Sequence, residues 1–205
     1  MLIKNFQVGQ IETNCYIVTD ETTLDCVVID PGDESNTILD YLEEHHLHCK
    51  FIFITHGHYD HTLAVRAVAE ETGAIVCIHD KDTHVTEENA PFAFDPGQGA
   101  LRYHEGDKLQ VGSLEFTVLE TPGHSPGGVT LLCGDVLFTG DTLFRDSCGR
   151  TDLPGGDMRV LMTSLKKLHD LPGDYEVYPG HMDSSTLEYE RRFNYYMRYA
   201  CGEEA

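Results

Sequence analysis

Basic residues are scarce in this 205-residue chain. Fourteen Lys and Arg face 35 Asp and Glu, which leaves a formal net charge of −21 at pH 7 and an isoelectric point near 4.7. Phosphate recognition needs a surplus of Lys and Arg, so the deficit argues against a nucleic-acid partner. It argues equally against docking on an anionic membrane surface. Long apolar runs are missing too: no stretch approaches the roughly 20 residues of a membrane span. The N-terminal MLIKNFQVGQ lacks the basic and apolar regions of a signal peptide. These absences predict a cytoplasmic protein. There is no Cys-x-x-Cys pair, and the seven cysteines (15, 26, 49, 77, 133, 148, 201) are odd in number and widely spaced. That argues against a disulfide framework or a Cys-based zinc knuckle. No Pro/Ser-rich linker or low-complexity run divides the chain, and the reading is a single domain over 1–205, long enough to bury its own core.

What is present is an ordinary globular composition, 40% hydrophobic and 24% charged, with a lopsided charge. Residues 1–144 hold 24 acids and 6 bases; residues 145–205 hold 11 acids and 8 bases. Contacts to an anion are therefore expected in the C-terminal third. Apolar patterning predicts strands at 2–8, 14–19, 24–30, 51–55, 74–78, 107–111, 114–120, 128–133, 135–140 and 175–178. Helices are predicted after Pro31-Gly32, over 62–72 with Leu63, Ala64, Ala67 and Val68 on one side, over 157–169, and over 186–199. The last of these would start at a Ser185/Glu188 capping box, with Tyr189, Phe193 and Tyr196 facing the core. Residues 81–105 read as a long loop in which Phe92 and Phe94 either line a pocket or anchor the loop. The element order suggests a layered α/β sandwich with helices outside and mixed sheets inside.

The sharpest feature follows the strand at 51–55: His56-Gly57-His58-Tyr59-Asp60-His61. In extended backbone, positions 56 and 58 point the same way, so two imidazoles can share one metal. The turn beyond them moves Asp60 and His61 toward a neighbouring site, and two adjacent N/O sites suit a dinuclear hydrolase. Three later residues recur in Gly- or Pro-flanked loops after apolar runs: His124 in TPGHSPG, Asp141 in FTGDTLF and His181 in YPGHMD. Asp30, at the end of VVID, is either a carboxylate that fixes a ligand imidazole or a strand-end turn residue.

HGHYDH, TPGHSPG, GDTLF and PGHMD, in that order, resemble the metallo-β-lactamase superfamily over about residues 2 to 185. The resemblance implies an αβ/βα four-layer sandwich and a metal-dependent hydrolase. It would place His56, His58 and His124 on a first metal and Asp60, His61 and His181 on a second, with Asp141 bridging. Two divalent ions are implied; zinc is the expected metal, and iron, manganese and nickel suit the same donors. Where the commonest class B β-lactamases place a bridging Cys, this chain has Asp141.

The segment FTGDTLFRDSCGRTDLPGGD (138–157) is similar to glyoxalase II, in particular to short bacterial hydroxyacylglutathione hydrolase-like proteins. That branch implies thioester hydrolysis of the S-lactoylglutathione type by a metal-bridging hydroxide, assisted by Asp60, with Arg150 contacting the glutathione moiety. The partner is then a small-molecule thioester. The chain ends about 24 residues after His181, where longer glyoxalase II enzymes add a helical region, so the glutathione preference is the open part. Two other functions stay open. A persulfide dioxygenase of the same superfamily would hold one iron on His56, His124 and Asp141, and it shares the motif at 148–152. A metal-stabilised binding module would need no turnover at all.

Overall fold

A computed structural model describes residues 1–84, 86 and 89–203. The first half of the chain builds one six-stranded sheet. β1 (Leu2–Val8), β2 (Thr13–Thr19) and β3 (Asp25–Ile29) form an antiparallel meander. α1 (Ser35–Glu44) then leads to β4 (His48–Phe53), and α2 (Val65–Thr72) to β5 (Ile75–Ile78). β3, β4, β5 and the short β6 (Leu101–Arg102) run parallel.

The second half builds another six-stranded sheet. β7 (Lys108–Val111), β8 (Leu114–Glu120), β9 (Val129–Cys133) and β10 (Val136–Gly140) pair antiparallel in succession. A ribbon of β11 (Leu143–Phe144) and β12 (Ser147–Cys148) follows, then α3 (Met158–His169). β13 (Glu176–Pro179) lies parallel to β10 and pairs with the short β14 (Ser185–Thr186). α4 (Leu187–Phe193) and α5 (Tyr195–Ala200) close the chain.

Strand alternation sorts the apolar side chains into layers, because successive residues face opposite sides of a sheet. On β2 and β3, Cys15, Ile17, Cys26 and Val28 pack with Ile38 and Leu42 of α1 and Val65 and Val68 of α2. Their neighbours Tyr16, Val18, Val27 and Ile29 face the other sheet and meet Phe116, Val118, Leu131 and Phe138. On the far side, Leu137 and Val177 pack with Leu165 and Leu168 of α3, Leu187 of α4 and Met197 of α5. The order is helix, sheet, sheet, helix, the αβ/βα sandwich expected from the sequence. Each fully buried Leu or Ile contributes about 1.5–3 kcal/mol through loss of water contact.

Four local expectations need correction. The final helix is two helices, because Asn194 leaves helical geometry at φ −72°, ψ 115° and its Oδ1 accepts from the backbone N–H of Tyr196 and Met197, starting α5 afresh. The cap of α4 is Thr186, whose Oγ1 accepts from Tyr189 N; Ser185 instead donates to the carboxylate of Glu190. The buried stripe is Leu187, Glu190, Asn194 and Met197; of the predicted three, Tyr196 packs half-buried against this core, while Phe193 is exposed and lies tilted beside Tyr189 at 4.9 Å. The helix predicted over 62–72 starts only at Val65, after a 3-10 turn at Tyr59–His61. Its buried face is Ala64, Val65 and Val68, and Leu63 turns outward, 60% exposed. Among the described residues, no helix is long and apolar enough to cross a membrane.

Candidate metal centre

The loops at one end of the two sheets meet in a cavity. His56 follows β4, His124 lies between β8 and β9, Asp141 follows β10 and His181 follows β13. β4, β10 and β13 deliver their residues from their carboxyl ends, the end where parallel sheets present binding groups. The seven residues singled out in the sequence come together in two clusters. The first is His56, His58 and His124; the second is Asp60, His61 and His181. Within each cluster one ligand atom per residue lies within 4.8 Å of the others. Asp141 touches both: its Oδ2 is 3.4 Å from His124 Nε2 and its Oδ1 is 3.4 Å from His61 Nε2.

Hydrogen bonds fix which nitrogen carries the proton in three of the five imidazoles. His61 Nδ1 donates to Asp30 Oδ2 at 3.0 Å. His124 Nδ1 donates to the Arg150 carbonyl at 2.7 Å. Thr55 Oγ1 donates to Asp30 Oδ2 at 2.6 Å, so its lone pair faces His56 Nδ1 at 3.1 Å. In all three rings the Nε2 lone pair is left facing inward. His124 Nε2 lies 2.9 Å from His58 Nδ1. His56 Nε2, His61 Nε2 and Asp141 Oδ1 are buried with no hydrogen-bond partner among the described residues.

Converging lone pairs and carboxylates without donors are unfavourable unless a cation sits among them. The donor set, five imidazoles and two carboxylates, fits divalent metal ions. Burial foremost, with the neighbouring imidazoles adding to it, lowers the basicity of His56 well below the ordinary value. The same causes, burial and then His124, lower His58 to about 3. Both rings are therefore neutral at pH 7, the state a metal ligand needs. Burial opposes ionisation of Asp60, yet the imidazoles of His181 and His61, 3.2 and 3.3 Å from its Oδ2, prevail and hold its carboxyl well below the usual range.

The surroundings hold these loops in place. Asp30 stands behind His61, where the first of its two readings puts it; it also accepts Thr55 N at 2.7 Å. Asn14 and Tyr16 of β2 reach the His181 loop: Asn14 Nδ2 donates to the carbonyls of Pro179 and Met182, and Tyr16 Oη donates to Pro179 at 2.7 Å. Gly180 is required where it stands, because a Cβ there would collide with Asp141 Oδ1 and His61 Cε1. Gly57 is required by the same kind of crowding, its Cβ falling 2.7 Å from the Asp82 carbonyl.

Asp82 was not visible as a functional residue in the sequence. It is buried and accepts from Gly57 N at 2.9 Å, Gly127 N at 2.6 Å and Ser125 Oγ at 2.7 Å, joining the two loops that carry the first cluster. Burial raises its carboxyl above the ordinary value despite those bonds. The segment 81–105 divides the two roles considered for it. Phe92 lines the cavity with its ring 5.3 Å from His58, and Phe94 packs into the core under α2. Positions 85, 87 and 88 of that segment lie outside the described residues.

The cavity over the clusters has a volume of about 430 Å³, with Phe92, Phe144, Leu153 and Met182 among its walls. Arg150 also lines it, and its guanidinium pairs with Asp152 through two bonds of 2.6 and 2.7 Å. Cys148 is at the wall, and burial raises its thiol to about 11, which leaves it unreactive at neutral pH.

A four-layer sandwich with two donor clusters sharing one aspartate at the strand ends defines a metal-binding αβ/βα protein. The metallo-β-lactamase superfamily profile matches residues 8–181, and the chain belongs to that superfamily. Its members are mostly metal-dependent hydrolases and bind divalent metals. The hydroxyacylglutathione hydrolase GloC of Haemophilus influenzae is 32% identical over 206 residues, covering 95% of this chain and 97% of that protein. Among solved structures, the B3 metallo-β-lactamase BLEG-1 aligns with a TM-score of 0.87 at 33% identity, over 96% of this chain and 99% of that one. ETHE1 from Myxococcus xanthus aligns at 0.84 and 32%, over 95% and 84%. TTHA1623 in a di-iron-bound form aligns at 0.82 and 35%, over 94% and 99%.

Proposed function

We propose that this protein is a metal-dependent thioester hydrolase of the hydroxyacylglutathione type. The observation that carries the reading is the pair of inward-facing donor clusters joined by Asp141 on the floor of an open, largely apolar cavity. In this reading His56, His58 and His124 hold one divalent ion, Asp60, His61 and His181 hold the other, and Asp141 serves both. Bound there, the ions supply a water of lowered pKa as nucleophile and polarise the carbonyl oxygen.

The chain's own groups do the rest. Asp60 Oδ2, 3.4 Å from Thr13 Oγ1 and 3.2 Å from His181 Nε2, accepts a hydrogen bond from the attacking water and aims it. Phe92, Phe144 and Leu153 exclude bulk water from the scissile bond. Arg150 keeps the Nη1 hydrogens that Asp152 does not use for a carboxylate on the thiol side of the substrate. The departing thiolate, with a pKa near 8.5 for a cysteine-like thiol, leaves without a strong general acid. Attack by that water needs no protein nucleophile, and burial keeps the Cys148 thiol protonated.

The test is metal quantification paired with a thioester panel on the purified protein, with oxygen uptake on glutathione persulfide measured alongside. Thioester turnover with up to two metals per chain is expected, and Asp141→Ala should lose metal and turnover together by orders of magnitude. One iron per chain with oxygen consumption would replace this reading by the dioxygenase. Full activity and normal metal in Asp141→Ala would overturn it outright.

A further inference from the structure

A second cavity adjoins the one over the metal-facing residues. Ile11, Tyr59 and Asp60 line both, and this second lobe of about 260 Å³ lies between the β1–β2 turn and the start of the α2 segment. Val8, Leu63 and Asp33 contribute to its other walls. Three of these residues are large apolar side chains held open to solvent: Ile11 is 50% exposed, Tyr59 47% and Leu63 60%. Leu63 has the sequence position of a core residue, and the 3-10 turn at Tyr59–His61 rotates it out to this rim. A single exposed leucine is ordinary, but apolar side chains gathered around a cavity beside a reactive centre mark a ligand surface.

The two lobes differ in charge. The metal-facing lobe sets Arg150 in its wall opposite the metal-facing Asp60 and Asp141, whereas the second lobe carries Asp33 and Asp60 and, among the described residues, neither Lys nor Arg. An anionic limb of a substrate is therefore favoured toward Arg150 and disfavoured beside Asp33.

We propose that the second lobe binds the acyl limb of the thioester, and that this limb is an uncharged apolar chain or ring of several carbons. The proposal rests on the thioester reading above and deepens it. The thiol limb lies on the Arg150 side, the reacting carbonyl lies over Asp60 and Asp141, and the acyl carbons run past Ile11 and Tyr59 toward Val8 and Leu63. A small hydroxyacyl group would leave those walls uncovered. Burying one methylene there is worth up to about a fourfold gain in binding.

Two ligand series on the metal-loaded protein test this. S-acylglutathiones from acetyl to octanoyl report turnover, and S-alkylglutathiones, which carry an uncleavable thioether, report affinity. Both kcat/KM and thioether affinity are expected to climb by up to about fourfold per methylene until the lobe is filled, and a terminal carboxylate should cancel the gain. Leu63→Asp should flatten both climbs, and Leu63→Met should keep them. A flat or falling thioether series in the wild type overturns the proposal, as does an unchanged climb in Leu63→Asp. The two readings fail separately. Cleavage of the acetyl thioester with a flat thioether series removes the acyl lobe and leaves the hydrolase. A climbing thioether series without cleavage of any thioester removes the hydrolase and leaves the lobe.

Discussion

Asp30 Oδ2 lies 3.0 Å from His61 Nδ1, with both side chains buried. The carboxylate fixes the ring so that Nε2 faces Asp60 and Asp141. Asp30 sits at φ +50°, a left-handed conformation that Asn also tolerates, so Asp30→Asn preserves the backbone. Losing such a partner behind a metal-ligating imidazole typically costs 10- to 100-fold in metal affinity. The expected result is that Asp30→Asn weakens the binding step at the His61 cluster by that factor in a metal titration, and weakens the other, which Asp30 reaches only through Thr55 and His56, by less. Two unchanged steps would reduce Asp30 to a strand-end residue.

Asp82 predicts a stability effect. Asp82→Ala orphans the buried amides of Gly57 and Gly127 and the hydroxyl of Ser125. At about 1–3 kcal/mol for each unsatisfied amide, the loss is about 3–5 kcal/mol. For a chain of this size that lowers Tm by roughly 10 °C. A shift under 2 °C in a thermal melt would mean that the two loops hold each other without it.

Acid sensitivity follows from Asp20. Its carboxylate accepts from Ser113 N at 2.6 Å and Thr22 N at 2.9 Å, joining the turn after β2 to the turn after β7. The Ser113 bond first, and then the Thr22 bond, hold its carboxyl well below the usual range. Folding therefore favours the deprotonated form. The stability this contributes is complete above the unfolded pKa of about 3.9 and is lost as pH falls below it. In urea titrations, the gap between the wild type and Asp20→Asn should be full at pH 6 and shrink toward pH 3. A gap independent of pH would show that packing, and not the charge, is what Asp20 supplies.

Metal should stabilise the fold by mass action. At a free concentration a thousand times Kd, one bound ion adds about 4 kcal/mol. Zinc added to chelator-treated protein is therefore expected to raise Tm by roughly 8–16 °C, and to raise it far less in Asp141→Ala. Equal shifts in the two proteins would place the binding elsewhere.

Much of the candidate site was legible because His56 to His61 is contiguous and its partners stand in distinctive Gly- and Pro-flanked loops. The layers were legible from the order of strand and helix patterns along the chain. Asp82 was not, since an Asp-Lys-Asp run in a polar loop looks like solvent-facing charge until the fold brings Gly57 and Gly127 to it. The last helix misled for a related reason. Tyr189, Phe193 and Tyr196 have helical spacing, but Glu190 is buried against Asn194, whose Nδ2 donates to it at 2.8 Å. A buried polar pair rotated the face, and apolar patterning has no signal for that. Leu63 was misplaced by a turn that only the geometry around His61 requires.

The bonds from Asn14 and Tyr16 to Pro179 join residues about 165 positions apart. Six of the seven candidate ligands lie before Pro179. On a ribosome adding about 5–20 residues per second, His181 and the strand that mates with Asn14 emerge roughly ten to thirty seconds after Asn14 does. A nascent chain displays the HxHxDH cluster early, yet the second cluster stays open until His181 has emerged and the Pro179 loop has docked on Asn14 and Tyr16. Occupancy of the second cluster therefore reports that everything between Asn14 and His181 has folded together.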